Sequence, residues 1–160
     1  MDYHRIGEKG SRVGSKRGAG ILFTDGKSIL LLKRAGKCRH TGTWAFPGGH
    51  GHQGETDIST AIRETKEETG LDSIPGHRID SFSSQDGHKR FTTFLYQVTK
   101  PFDCSLSEEH SDWGWVPFDG LQGKDLHPKV KENLSRYLKA IRRKTWTFEE
   151  WRRLTEIIVF

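Results

Sequence analysis

Glu64, Glu67 and Glu68 stand at spacings of three and four residues inside the segment Gly49 to Leu71, GHGHQGETDISTAIRETKEETGL. On a helix advancing ~100° per residue, with Glu64 at zero, Glu67 falls near about −60° and Glu68 near about +40°. Three carboxylates then share one side of a short helix, and the like-charged pair Glu64 and Glu68 costs a few tenths of a kcal/mol on a bare helix. An exposed amphipathic helix is the plain alternative. A hard divalent cation that takes oxygen ligands and keeps several waters, Mg²⁺ or Mn²⁺ in its place, offsets the repulsion and brings phosphate chemistry with it. The residues upstream favour that second reading. Gly48-Gly49 permits close backbone approach to a ligand, and Glu55 sits at the helix entry, eight residues before Arg63.

The helix carrying these groups is expected over Thr56 to Thr69. Thr56 supplies the N-cap, Asp57 complements the helix dipole and Gly70 ends it in a left-handed conformation. Ile58, Ala61, Ile62, Thr65 and Thr69 form the flank that faces a core. Before it, Ala19 to Thr24 and Ser28 to Leu32 read as strands of a hairpin turned at Asp25-Gly26. Residues 34–43 read as a loop, and Trp44 to Phe46 as a short strand ended by Pro47-Gly48-Gly49. After it, strands are expected at 78–84, 90–98 and 113–116. A helix over Pro128 to Ile141 carries the stripe Val130, Leu134, Tyr137, Leu138 and Ile141. Thr147-x-x-Glu150 has the form of a capping box for a further helix. Strands alternating with helices give an α/β or α+β class.

A chain of 160 residues fits one domain with a real core. Residues 1–17 form a basic arm, 18–143 the domain, and 144–160 a helical extension whose apolar end, Ile157 to Phe160, packs on its own domain or on a second copy in a homodimer. No apolar run reaches the ~20 residues of a membrane span, and residues 1–18 hold no hydrophobic signal segment. Cys38 and Cys104 are far apart and form no CxxC pair, so reduced thiols and a cytoplasmic location are expected. The net charge of +5 is uneven: Gly49 to Asp72 carries −4 and the remainder +9. A basic body around an acidic patch suits an anionic ligand that arrives with a metal.

The pattern Gly49-x5-Glu55-x7-Arg63-Glu64-Thr65-x-Glu67-Glu68-x-Gly70-Leu71 resembles the box of the Nudix hydrolases along its whole length. Thr43 to His50 resembles the lead-in common in that family, and Trp113 to Pro117 its late strand. The resemblance covers roughly residues 18–140. It implies an α/β/α sandwich with a mixed central sheet, and hydrolysis of a nucleoside diphosphate linked to another group. Thr65 stands where the family prefers an aliphatic residue, and His52 where many relatives have glutamate.

By that resemblance Glu64, Glu67 and Glu68, with the Gly48 carbonyl, hold the metal, and Arg63 braces the acids. The base is left between Glu67 and the loop acids Glu108 and Glu109. Lys33 and Arg34 are candidates for phosphate binding. Trp44 and Phe46 are candidates for base stacking or for the core, and His50 for substrate contact or, with His52, for ligating a softer metal. A nucleoside triphosphate, oxidised purine forms included, split to monophosphate and pyrophosphate is the first reading. ADP-ribose, a nucleotide sugar or an RNA 5′-triphosphate end bound by the basic arm is the second. A nucleotide-binding module without turnover is the non-enzymatic one.

Overall fold

A computed structural model describes residues 16–144. Its elements are β1 (Arg17–Thr24), β2 (Ser28–Arg34), β3 (Trp44–Ala45), β4 (Gly48–His50), α1 (Asp57–Thr69), β5 (His77–Asp86), β6 (Lys89–Gln97), β7 (His110–Pro117), a short 3-10 helix (Phe118–Gly123) and α2 (Pro128–Lys144). The basic arm, apart from Lys16 and Arg17, and the capping box with its apolar end lie outside these residues. Arg17 belongs to β1 rather than to the arm. No helix among the described residues is long and apolar enough to cross a membrane.

The hairpin forms its turn as expected. Gly26 takes φ +93°, and Asp25 Oδ1 accepts the N–H groups of Lys27 and Ser28 at 2.9 and 2.8 Å. Its strands pair only at Thr24 and Ile29 and then part. β1 continues between antiparallel β4 and parallel β6, with β5 beyond β6; β2 continues between β3 and β7, antiparallel to both. The sheet is therefore mixed.

Alternate residues of these strands feed two cores. Ala19, Ile21, Phe23, Leu30, Leu32 and Phe94 pack with Ala61 and Ile58 of α1. Leu22, Ile29, Leu31, Phe82 and Leu95 pack with Val130, Tyr137 and Ile141 of α2. A helix thus covers each face, an α/β/α arrangement. Burying each such Leu or Ile contributes about 1.5–3 kcal/mol.

Two local features differ from the sequence reading. The strand beginning at Trp44 ends at Ala45, because Pro47 cannot donate to a ladder, and Gly48–His50 forms a strand of its own. β4 lies against β1 so closely that a Cβ on Gly48 would come within 2.7 Å of Ala19 O and of Gly20 Cα. Glycine facing glycine is what lets these two backbones pair.

Candidate active site

α1 is set by its ends. Thr56 Oγ1 accepts the Ser59 N–H, and Gly70, at φ +75°, donates its N–H to Lys66 O. Asp57 in the first turn receives Arg17 at 3.0 Å, Arg90 at 3.2 Å and the Thr92 hydroxyl at 3.0 Å. The helix is thereby pinned to β1 and β6, and its acidic flank is presented to β4 and to the loop before β7.

Glu68 is the centre of that flank. Its side chain is buried, and its Oε1 accepts the Gly48 N–H at 2.6 Å. Oxygens of Glu64, Glu68 and Glu109 lie within 4.8 Å of one another. Burial, together with the charges of Glu64 and Glu109, pushes the Glu68 carboxyl up to about 9, against the opposing pull of the Gly48 N–H. His110, also buried, places Nδ1 3.6 Å from Glu68 Oε2, and burial lowers its basicity. Gly49 opens room for the neighbouring acid: a Cβ there would meet Glu64 Cδ at 2.5 Å.

Arg63 ties the rim together. It reaches Glu55 at 2.9 and 3.0 Å, Glu64 at 2.9 Å, Glu67 at 3.4 Å and the His50 carbonyl at 2.9 Å. Glu55 also accepts the His52 N–H at 2.6 Å and the Thr60 hydroxyl at 3.2 Å. Arg63 and the His52 N–H hold the Glu55 carboxyl at about 2, far below the ordinary value. One guanidinium thus braces three carboxylates, and among the described residues no cation pairs with Glu68 or Glu109.

The other residues singled out from the sequence divide. Glu109, in the loop before β7, joins the cluster; its carbonyl accepts the Ala35 N–H at 2.8 Å. Glu67 lies outside the cluster, with an exposed carboxylate on Arg63. Gly48 meets Glu68 through its N–H. Arg34 is the register partner of His110 at the end of β2, beside Glu109, and Lys33 pairs with Asp112 and Trp44. Trp44 is buried under Lys124 Nζ, 4.3 Å from its ring centroid, and Phe46 packs on Tyr137. His50 ends β4, exposed. Glu108, also exposed, stands outside the cluster. Neither His50 nor His52 joins a group of clustered ligand atoms among the described residues. Thr65 packs fully buried, as its small size allows.

Sequence reasoning did not single out His110. Its only signal there was its place directly after a candidate acid.

The donor set fits a hard divalent ion. It consists of carboxylate oxygens, two of them contributed from one helix face, with a buried acid that lacks a cationic partner among the described residues.

The profile "NUDIX domain" matches residues 14–139. The chain is 35% identical over 116 residues to the asymmetrical bis(5′-nucleosyl)-tetraphosphatase of Sus scrofa, covering 65% of this chain and 76% of that one. It is 29% identical over 124 residues to a putative 8-oxo-dGTP diphosphatase 3 of Mycobacterium tuberculosis, covering 69% of this chain and 56% of that protein. The match spans 65% of the length of the Rattus norvegicus tetraphosphatase. Among solved structures, a Nudix hydrolase from M. smegmatis, RenU, superposes with TM-score 0.67 at 22% identity over 83% of this chain and 89% of that one. A C. elegans Ap4A hydrolase in binary complex gives 0.61 at 24% identity over 77% and 95%. With the box, the mixed sheet between two helices and the acidic cluster in agreement with a match over most of its length, the chain belongs to the Nudix family of hydrolases acting on nucleotide pyrophosphate bonds.

Proposed function

We propose that this protein is a Mg²⁺-dependent hydrolase of a nucleoside polyphosphate, with Glu64, Glu68 and Glu109 holding the ion, helped by the Gly48 carbonyl. The observation that carries this is the buried Glu68 carboxyl gathered with Glu64 and Glu109 on Oε atoms no more than 4.8 Å apart. When bound, the ion neutralises phosphate oxygens and activates water for attack on phosphorus.

The chain's own groups do the rest. Arg63 and Glu55 fix the helix face. Glu67 and Glu108, both exposed and outside the cluster, are the acids left to take the proton of the attacking water, and Glu67 is the one on the helix that carries Glu64 and Glu68. Arg34, whose register partner His110 directly follows Glu109, and Lys33 bind the remaining phosphates. With Trp44 and Phe46 packed in the core, the base is left to His50 and to Phe91, the one large apolar side chain exposed among the described residues. His50 and Phe91 share a sheet face, because both are register partners of Gly18. Base stacking on such a ring is worth about 1–3 kcal/mol.

A nucleoside triphosphate, cleaved to monophosphate and pyrophosphate, is the first substrate reading. The similarity to the porcine tetraphosphatase favours a second, a dinucleoside tetraphosphate. The test is incubation with Mg²⁺ and a panel of nucleoside triphosphates, diadenosine tetraphosphate, ADP-ribose, nucleotide sugars and triphosphorylated RNA, with products weighed by mass spectrometry. Pyrophosphate from a triphosphate, or unequal halves from the tetraphosphate, is the result expected. Single phosphate, or no turnover of any member, contradicts the proposal. Turnover of RNA ends alone would move the substrate to the polymer.

A further inference from the structure

His110 is buried, and its Nδ1 has no hydrogen-bond partner. A buried polar nitrogen left unpaired costs about 1–3 kcal/mol, so its position calls for a reason. Its nearest acidic neighbour is Glu68 Oε2, at 3.6 Å. The other oxygen of that carboxyl, Oε1, is already fixed by the Gly48 N–H at 2.6 Å. His110 is absent from the group of ligand atoms formed by Glu64, Glu68 and Glu109, although it directly follows Glu109. It therefore stands against Glu68 and outside the cluster of ligand atoms. β7 begins at His110, and its pairing with Arg34 of β2 sets where the ring stands.

We propose that His110 is a positioning residue for the metal site: its Nδ1–H donates to Glu68 Oε2 when a cation is bound, so that Gly48 and His110 grip the carboxylate from its two oxygens. Without an ion the contact with His110 stands open at 3.6 Å. A neutral imidazole has one N–H, and the position of Glu68 assigns it to Nδ1. Partners of this kind, one step removed from the ion, orient the ligand and raise its basicity; losing one costs about 10–100-fold in metal affinity.

Mn²⁺ titration followed by the signal of the free ion tests this. His110→Phe fills the volume without a donor and should weaken Mn²⁺ binding by about 10–100-fold. His110→Asn, whose amide nitrogen reaches the place of Nδ1, should restore it to within about threefold of the parent. Equal binding by the parent and His110→Phe, or an Asn variant as weak as a folded Phe variant, overturns the proposal. A measurement on the unaltered protein stands beside it: nitrogen-15 shifts of the His110 ring in the metal-loaded form. The Nδ1–H tautomer is the result expected, and the Nε2–H tautomer overturns the assignment. The inference rests on the metal site proposed above. A parent protein that binds no divalent ion defeats that site, whereas a parent that binds and variants that bind equally defeat only the role of His110.

Discussion

Gly48 of β4 donates its N–H to Glu68 Oε1 of α1 at 2.6 Å, across the edge of the sheet. That bond brings the glycine lead-in and the acidic helix into one site, and it holds the carboxyl where burial keeps it protonated, at about 9. A cation can bind Glu68 only as the anion, so binding should expel the proton. At pH 7.5, calorimetric heats of Mg²⁺ binding in two buffers of different ionisation enthalpy should differ by close to one proton per ion. Glu68→Gln should remove both the difference and the binding. Heats independent of buffer would show that Glu68 does not lose a proton to the ion.

Gly49 lies against Glu64, with a Cβ there meeting Glu64 Cδ at 2.5 Å and Oε2 at 2.6 Å. Gly49→Ala should displace that carboxylate from the cluster. The cost in stability is about 1–3 kcal/mol, as for other overpacked sites. Turnover should fall further than stability accounts for, and raised Mg²⁺ should recover part of it. Chemical denaturation and metal-dependent rates, measured on the same variant, check this. Unchanged rates would mean that Glu64 is free to move aside.

Thr65 sits fully buried with its hydroxyl unpartnered. Thr65→Val keeps the shape and removes the unsatisfied group. It should stabilise the fold by about 1 kcal/mol, read as a higher urea midpoint at constant slope. A lower midpoint would reveal a bond made by the hydroxyl.

Glu55, held at about 2 by Arg63 and the His52 N–H, ionises more readily folded than unfolded, where its ordinary value is 4.5. Its contribution to stability is therefore complete above about pH 4.5 and disappears as the pH falls through about 2. Glu55→Gln should lower the urea midpoint at pH 7 and flatten its decline across that acid window. A variant whose midpoint tracks the parent at every pH would place the stabilising partner of Arg63 elsewhere.

Local chemistry carried much of this fold in legible form. Thr56 and Gly70 mark the ends of α1, and Asp25-Gly26 marks the turn, because caps and tight turns depend on residues a few positions apart. β4 was hidden for the opposite reason. A Gly-Gly stretch has little strand propensity of its own, and only the glycines of β1 opposite it make pairing feasible. Trp44 and Phe46 have the alternation of a strand face, but Pro47 cuts that strand after two residues and both rings go to the core. Glu109 could be named as an acid in a loop. Its arrival beside Glu68 depends on β7 pairing with β2, a contact between distant parts of the chain. The buried nitrogen of His110 has no signature in sequence at all, since burial and an absent partner are properties of the packed molecule.

The most direct test of the acidic cluster as a hydrolytic centre is turnover of the substrate found in the panel, run in ¹⁸O-labelled water with and without Mg²⁺, for the parent and for Glu68→Gln. One labelled oxygen should enter a phosphate of the product only when Mg²⁺ is present, and incorporation should fall by at least about 100-fold in a Glu68→Gln protein that melts as a folded domain. Incorporation that proceeds without a divalent ion, or at the parental rate in Glu68→Gln, would contradict the account.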